Sequence, residues 1–147
     1  MSLYKHILVA TDLSEESDQL IDKVKQLAEC SNAELSMIHV IEPLSFAYGG
    51  DVPMDLTAIQ AQLDEHAQSK MTRFSQQLDY PVKQCHVVSG HTETEIHKVA
   101  DEQGCDLIIV GSHGRHGLAL LLGSTANGIL HGAKCDVLAI RVTEKEE

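Results

Sequence analysis

The residues best suited to chemistry are concentrated in one stretch: Gly111-Ser112-His113-Gly114-Arg115-His116-Gly117, five apolar residues, then Gly123-Ser124-Thr125. Glycine reaches positive φ and lets a backbone approach a ligand closely, which a loop wrapped around phosphates requires. Ser124 and Thr125 open a predicted helix whose free N–H groups would face the same place. The charge pattern points the same way. The 29 residues from Leu107 to Cys135 contain no Asp or Glu, although 22 acids in 147 residues would put about four there by chance. The same span carries Arg115, Lys134, His113, His116 and His131. Read without a ligand, these glycines are a turn joining strand to helix. The stretch matches neither GxxxxGK[ST] nor GxGxxG, so neither a Walker A loop nor the standard dinucleotide fingerprint is supported.

The other candidates are simpler. Asp12 follows a short apolar run and is joined by Glu15, Glu16 and Asp18, a cluster that would repel a phosphate. Asp12 is better placed to hold Mg²⁺ or to hydrogen-bond a ribose hydroxyl or a base; its plainer reading is a turn or capping aspartate. His113 and His116 have HxxH spacing, but an irregular glycine loop does not fix two imidazoles as a helix would, so phosphate-facing or exposed histidines are preferred to metal ligands. His39 reads as a satisfied core histidine, and Cys85 and Cys105 as small buried hydrophobes. No Ser-His-Asp or Cys-His arrangement can be argued from spacing, and GxSxG is absent. Nothing demands catalysis.

The elements that must position these residues alternate along the chain. His6–Thr11 reads as a buried strand, followed by a helix over Ser14–Glu29 with Ser14 as its N-cap. Leu35–Ile41 is the second strand, and residues 42–55, with Pro43, Gly49, Gly50 and Pro53, form a loop. Leu56, Ile59, Leu63, Ala67, Met71, Phe74 and Leu78 make one apolar stripe, predicting a helix over Leu56–Leu78 about 34 Å long, longer than the strands it must cover. Val82–Val88 is the third strand, Glu93–Gln103 the third helix, Leu107–Gly111 the fourth strand, Ser124–His131 a short helix and Val137–Val142 the fifth strand. This βαβαβαβαβ order implies a mostly parallel sheet with right-handed crossovers and helices on both faces. Ligands then bind beyond the carboxyl ends of the strands, in the loops carrying Asp12-Leu13-Ser14, Glu42-Pro43, Ser89-Gly90-His91-Thr92 and the stretch from Gly111. The Cys105-Asp106 and Cys135-Asp136 starts of the last two strands echo each other, as two joins of one kind.

Composition bounds the function. The chain has 147 residues and a formal charge of −11, which disfavours nucleic acid and anionic membrane as partners. One domain over residues 1–147 is expected, with a charged tail from about 143. No apolar run approaches a membrane span, and no leader is read at the start. Four cysteines without a CxxC pair suggest buried, reduced thiols in a cytoplasmic protein.

Over essentially its whole length the chain resembles the universal stress protein (UspA) family. The carriers are Ile7-Leu8-Val9-Ala10-Thr11-Asp12-Leu13-Ser14, His39-Val40, Asp106-Leu107-Ile108-Ile109-Val110-Gly111-Ser112-His113-Gly114, Gly123-Ser124 and Cys135-Asp136-Val137-Leu138. The resemblance implies an α/β, Rossmann-like (adenine nucleotide alpha hydrolase-like) domain. Its five-stranded parallel sheet would have the order 3-2-1-4-5, and a homodimer would be joined partly through the last strand. It also implies a division between members that bind ATP and members that have lost the nucleotide. ATP-binding members carry Gly-x-x-Gly, nine residues, then Gly-Ser/Thr; here Gly111-x-x-Gly114 and Gly123-Ser124 are present with eight residues between. By position, Gly111, Gly114, Gly123, Ser124 and Thr125 would contact ribose and phosphates, and Ala10, Thr11, Asp12 and Val40 the adenine and ribose side. Arg115 is added from the charge pattern. The expected ligand is ATP, or AMP or ADP, with Mg²⁺ at Asp12. A nucleotide-free interaction module and a slow ATPase are the alternative readings.

Overall fold

Ile7, Leu8 and Val9 are wholly buried, and a strand apolar on both sides needs a layer over each face. A computed structural model describes residues 3–14, 18–42, 56–113 and 124–142. The order along the chain is β1 (His6–Ala10), α1 (Leu20–Ser31), β2 (Glu34–Ile41), α2 (Leu56–Leu78), β3 (Gln84–Ser89), α3 (Thr92–Gln103), β4 (Leu107–His113), α4 (Ser124–Gly132) and β5 (Asp136–Val142). The strands form one sheet in the order β3-β2-β1-β4-β5, every pairing parallel. The register sets Ile7 opposite Leu35 and Leu107, and Leu107 in turn opposite Asp136.

Alternation along the strands builds two cores. Ile7, Val9, Leu35, Met37, Leu107 and Ile109 pack with Leu20, Val24 and Ala28 of α1 and Ala67, Met71, Phe74 and Leu78 of α2. Leu8, Ile38, Ile108 and Val110 pack with Ile96, Val99 and Ala100 of α3 and Ile129 of α4. α3 and α4 meet closely at Gly128, where a Cβ would collide with the Glu93 carboxylate. Among the described residues no helix is long and apolar enough to cross a membrane.

Two expectations need correction, and a third is borne out with a consequence for burial. Helix α1 begins at Leu20 with Gln19 at its N-cap, so Ser14 lies five residues before the cap it was expected to supply. Its backbone N–H and hydroxyl instead donate to Asp12 Oδ1 at 2.9 and 2.7 Å, the local competition with helix expected of Asp and Ser. Helix α2 spans Leu56–Leu78 as expected and outruns the strands beneath it, so among the described side chains its stripe is buried from Ala67 onward while Leu63 is 39% exposed. Cys85 is exposed rather than buried, because β3 is an edge strand, and Cys30 on α1 is exposed too.

The amino edge of the sheet is fastened by side chains. Asp106 accepts the backbone N–H groups of Lys5 and His6 at 2.9 and 3.0 Å, and Asp136 accepts the Tyr4 hydroxyl at 3.0 Å. The two aspartates of the Cys-Asp echo thus clamp the same incoming segment. The buried His6 ring bridges Gln103 O and Ser36 Oγ at 3.2 and 2.7 Å.

Candidate functional site: a cleft at the carboxyl edge of the sheet

From β1 the chain passes to α1 on one face, and from β4 to α4 on the other. Diverging connections leave a crevice beyond the strand ends, which is the general ligand position in open parallel sheets. A cleft of about 200 Å³ lies there. Ala10, Thr11, Asp12, Val40 and Gly111, all singled out in the sequence, line it together. Ser124 and Thr125 form the first turn of α4. Gly114, Arg115 and Gly123 lie outside the described residues, as does His116 of the HxxH pair.

The turn after β1 is built by its own side chains. Thr11 Oγ1 accepts the Leu13 backbone N–H at 3.0 Å, and Asp12 Oδ1 accepts both Ser14 donors. These bonds hold Leu13 at φ +60°, a region that a γ-branched side chain rarely visits, while its side chain is buried in the core. Strain of this kind persists only where the surroundings fix it, and it concentrates at ligand-binding turns. Thr11 and Asp12 are therefore presented to the cleft by an over-determined turn.

His39 and the apolar floor residues were not singled out as a site in the sequence, whereas Thr92 belongs to the expected ligand loop Ser89-Gly90-His91-Thr92. His39 is indeed hydrogen-bonded, through Nδ1 to Thr11 O at 2.9 Å, yet it also lines the cleft. A carbonyl oxygen can only accept, so Nδ1 carries the proton, and Nε2 of the neutral ring is an acceptor. Thr92 lines the cleft at the start of α3, and its hydroxyl donates to Glu42 Oε1 at 2.9 Å, tying that helix to the end of β2. Leu20, Ile38, Ile96, Val110 and Ile129 supply an apolar floor. A mostly apolar pocket with a few convergent polar groups is the usual form of a small-molecule site.

Asp12 supplies one carboxylate to the cleft, and among the described residues no group of three or more His, Cys, Asp or Glu is placed to hold a metal ion by itself. That donor set fits Mg²⁺ only in its common role, bound by one or two carboxylates together with waters and a ligand's phosphate oxygens.

Comparison with known proteins agrees with this architecture. Residues 3–141 match the universal stress protein family. Universal stress protein A homolog 2 of Coxiella burnetii is 45% identical over 146 residues, covering 97% of this chain and 98% of the relative. The solved structure of hypothetical protein MJ0577 is 29% identical, with a TM-score of 0.73 and 99% of each chain covered. A universal stress protein crystallised in complex with cAMP is 24% identical, with a TM-score of 0.66, covering 95% of this chain and 98% of its own, and shares the fold. With its length, strand order and family match in agreement, this chain belongs to the universal stress protein family.

Proposed function

We propose that this protein binds an adenine nucleotide, ATP or its AMP and ADP relatives, in the cleft at the carboxyl edge of the sheet, and acts as a cytoplasmic, homodimeric stress-response regulator. The observation that carries the reading is the meeting of Ala10, Thr11, Asp12, Val40 and Gly111 around one cleft at the point where the chain's connections diverge. Val40, with the apolar floor, suits the flat face of a base. The Asp12 carboxylate and the Thr11 hydroxyl suit ribose hydroxyls. The acid-free stretch from Gly111, with Gly114, Arg115, Gly123, Ser124 and Thr125, suits phosphates. Mg²⁺ at Asp12 would offset phosphate charge. An exposed edge on β5, with Leu138 36% exposed, supports the dimer through that strand.

Titration of the purified protein with a fluorescent ATP analogue and Mg²⁺ tests the reading. Saturable binding is expected, and cAMP and AMP competition arms give the preferred phosphate form. No binding up to millimolar concentration overturns it in favour of a nucleotide-free interaction module. Gly114→Asp is expected to abolish binding with thermal unfolding largely unchanged; equal binding by both proteins would mean that the loop is the wrong one. Phosphate release above that variant's background would add a slow ATPase activity.

A further inference from the structure

A second cavity, of about 320 Å³, lies between α3 and α4 and is lined by His97, Cys105 and Cys135. Cys105 and Cys135 are both outside any disulfide, and both pack on the α3–α4 side of the sheet. They immediately precede the two clamping aspartates at the starts of adjacent parallel strands. One step before the first paired residues, Leu107 and Asp136, Cys135 comes opposite Asp106. Cys105 stands one residue further out, before β4 begins and off its alternation, for both cysteines lie on the α3–α4 side and line the same cavity; strand spacing and rise put their Cα atoms about 6 Å apart. Disulfides form when Cα atoms are about 4.4–6.8 Å apart and the Cβ atoms face each other, and two thiols that line one cavity at this separation are within reach of closure.

We propose that Cys105 and Cys135 are a peroxide-responsive dithiol that closes into a reversible intramolecular disulfide. Cys135 is the more accessible thiol and meets the oxidant; Cys105 is buried and resolves it. The Cys135 thiolate attacks a peroxide oxygen, the O–O bond breaks, and a sulfenic acid and an alcohol or water form. Cys105 sulfur then attacks that sulfenyl sulfur, the S–S bond forms, and water leaves. Two thiols lose two protons and two electrons, and one peroxide is reduced. His97 Nε2 lines the same cavity with no hydrogen-bond partner among the described residues, and in the tautomer protonated at Nδ1 it would be open to accept a thiol proton. The closed ring encloses residues 106–134, the whole connection from β4 through α4.

Burial, and then the neighbouring Cys135 thiol, pushes Cys105 up to about 11, and burial raises Cys135 as well. Both thiols are therefore mostly protonated at neutral pH, so the Cys135 thiolate that reacts is a minor species there. Closure, beside the Lys98, Asp101 and Lys134 charges of the same cavity, is slow at neutral pH and faster as pH rises.

The test uses the full chain with the two exposed thiols removed, Cys30→Ser and Cys85→Ser, treated with hydrogen peroxide. The expected result is a loss of 2 Da that a dithiol reverses. Trypsin should then release residues 99–115 linked to residues 135–141, and the unfolding midpoint should rise by about 5 °C or more. The native sequence, mapped by alkylation before and after reduction, is expected to give the same linked peptide and serves if the double variant folds poorly. Recovery of Cys105 and Cys135 as separately alkylated residues after peroxide treatment, or of Cys135 as sulfinic acid beside a free Cys105, overturns the proposal.

Discussion

At the amino end of the sheet His6 and Ser36 are 5% and 0% exposed and hydrogen-bond to each other at 2.7 Å. At the carboxyl end Thr11, Asp12 and His39 are bonded as fully, yet they line open space. The two ends use the same kinds of side chain for different results. Asp106 and Asp136 fasten the segment Tyr4–His6, so removing any member leaves a buried or clamped group without its partner. The side chains of Asp12 and Thr11 accept bonds from Ser14 and Leu13 of the turn that carries them, while the Thr11 backbone joins Ile38 O and the His39 ring, so the turn is rigid while the cleft beside it stays open. Side chains knitted across strands hold the fold; side chains knitted within a turn present a site.

That contrast predicts separable effects. Val40→Trp, which fills the cleft, should weaken adenine nucleotide binding at least about 100-fold, roughly 2.7 kcal/mol. Calorimetric titration reads the affinity, and a thermal melt within about 3 °C of the parent would show that the fold is intact. At the other end, His6→Ala leaves a cavity and strips the buried Ser36 hydroxyl of its partner, at a cost of about 2–4 kcal/mol. The melting midpoint should fall by about 5–12 °C while nucleotide affinity stays within about twofold. A joint loss of both properties in either variant would collapse the distinction between the two ends.

Thr11→Val sits between these cases. It keeps the shape but removes the acceptor for Leu13 N–H, costing about 1 kcal/mol in urea unfolding. Relaxation of Leu13 from positive φ should weaken nucleotide binding more than it weakens the fold, and an unaltered affinity would show that the turn's strain is incidental.

Much of this architecture was legible in the chain. The apolar runs and the Leu56–Leu78 stripe located every strand and the long helix, because strands buried on both faces and an amphipathic helix leave unambiguous patterns. The start of α1 was not legible. Ser14 is an ordinary capping residue by type, and only the bonds it makes to Asp12 divert it. Of the cleft, the Ala10–Asp12 loop, Val40 and Gly111 could be found from the strand ends and the family resemblance. His39 was recognised as satisfied but not as a wall, because one side chain can be both. Ile96 and Ile129 reach the cleft from helices on the far face, and their periodicity says only that they are buried. The exposure of Cys85 is hidden for a related reason: a strand's residue types alone do not reveal whether the sheet continues beyond it, and only the strand order puts β3 at the edge.

The smallest expected effect is on pH dependence. Burial lowers the pKa of His86 on β3, and its Nε2 has no hydrogen-bond partner among the described residues. The unfolded chain therefore binds the proton more readily than the folded one, so this contribution is present above the ordinary histidine pKa and is lost as pH falls below it. His86→Gln should flatten the decline in stability between about pH 7 and pH 5, followed by denaturant midpoints, with no change in nucleotide affinity.

The most direct measurement is an amide chemical-shift map of the ¹⁵N-labelled protein during titration with ATP and Mg²⁺. Saturable shifts are predicted at Thr11, Asp12, Val40 and Gly111, with His6, Ser36, Cys105 and Cys135 nearly still. Shifts centred on the amino end or on the α3–α4 cavity, or none at millimolar nucleotide, would contradict the account.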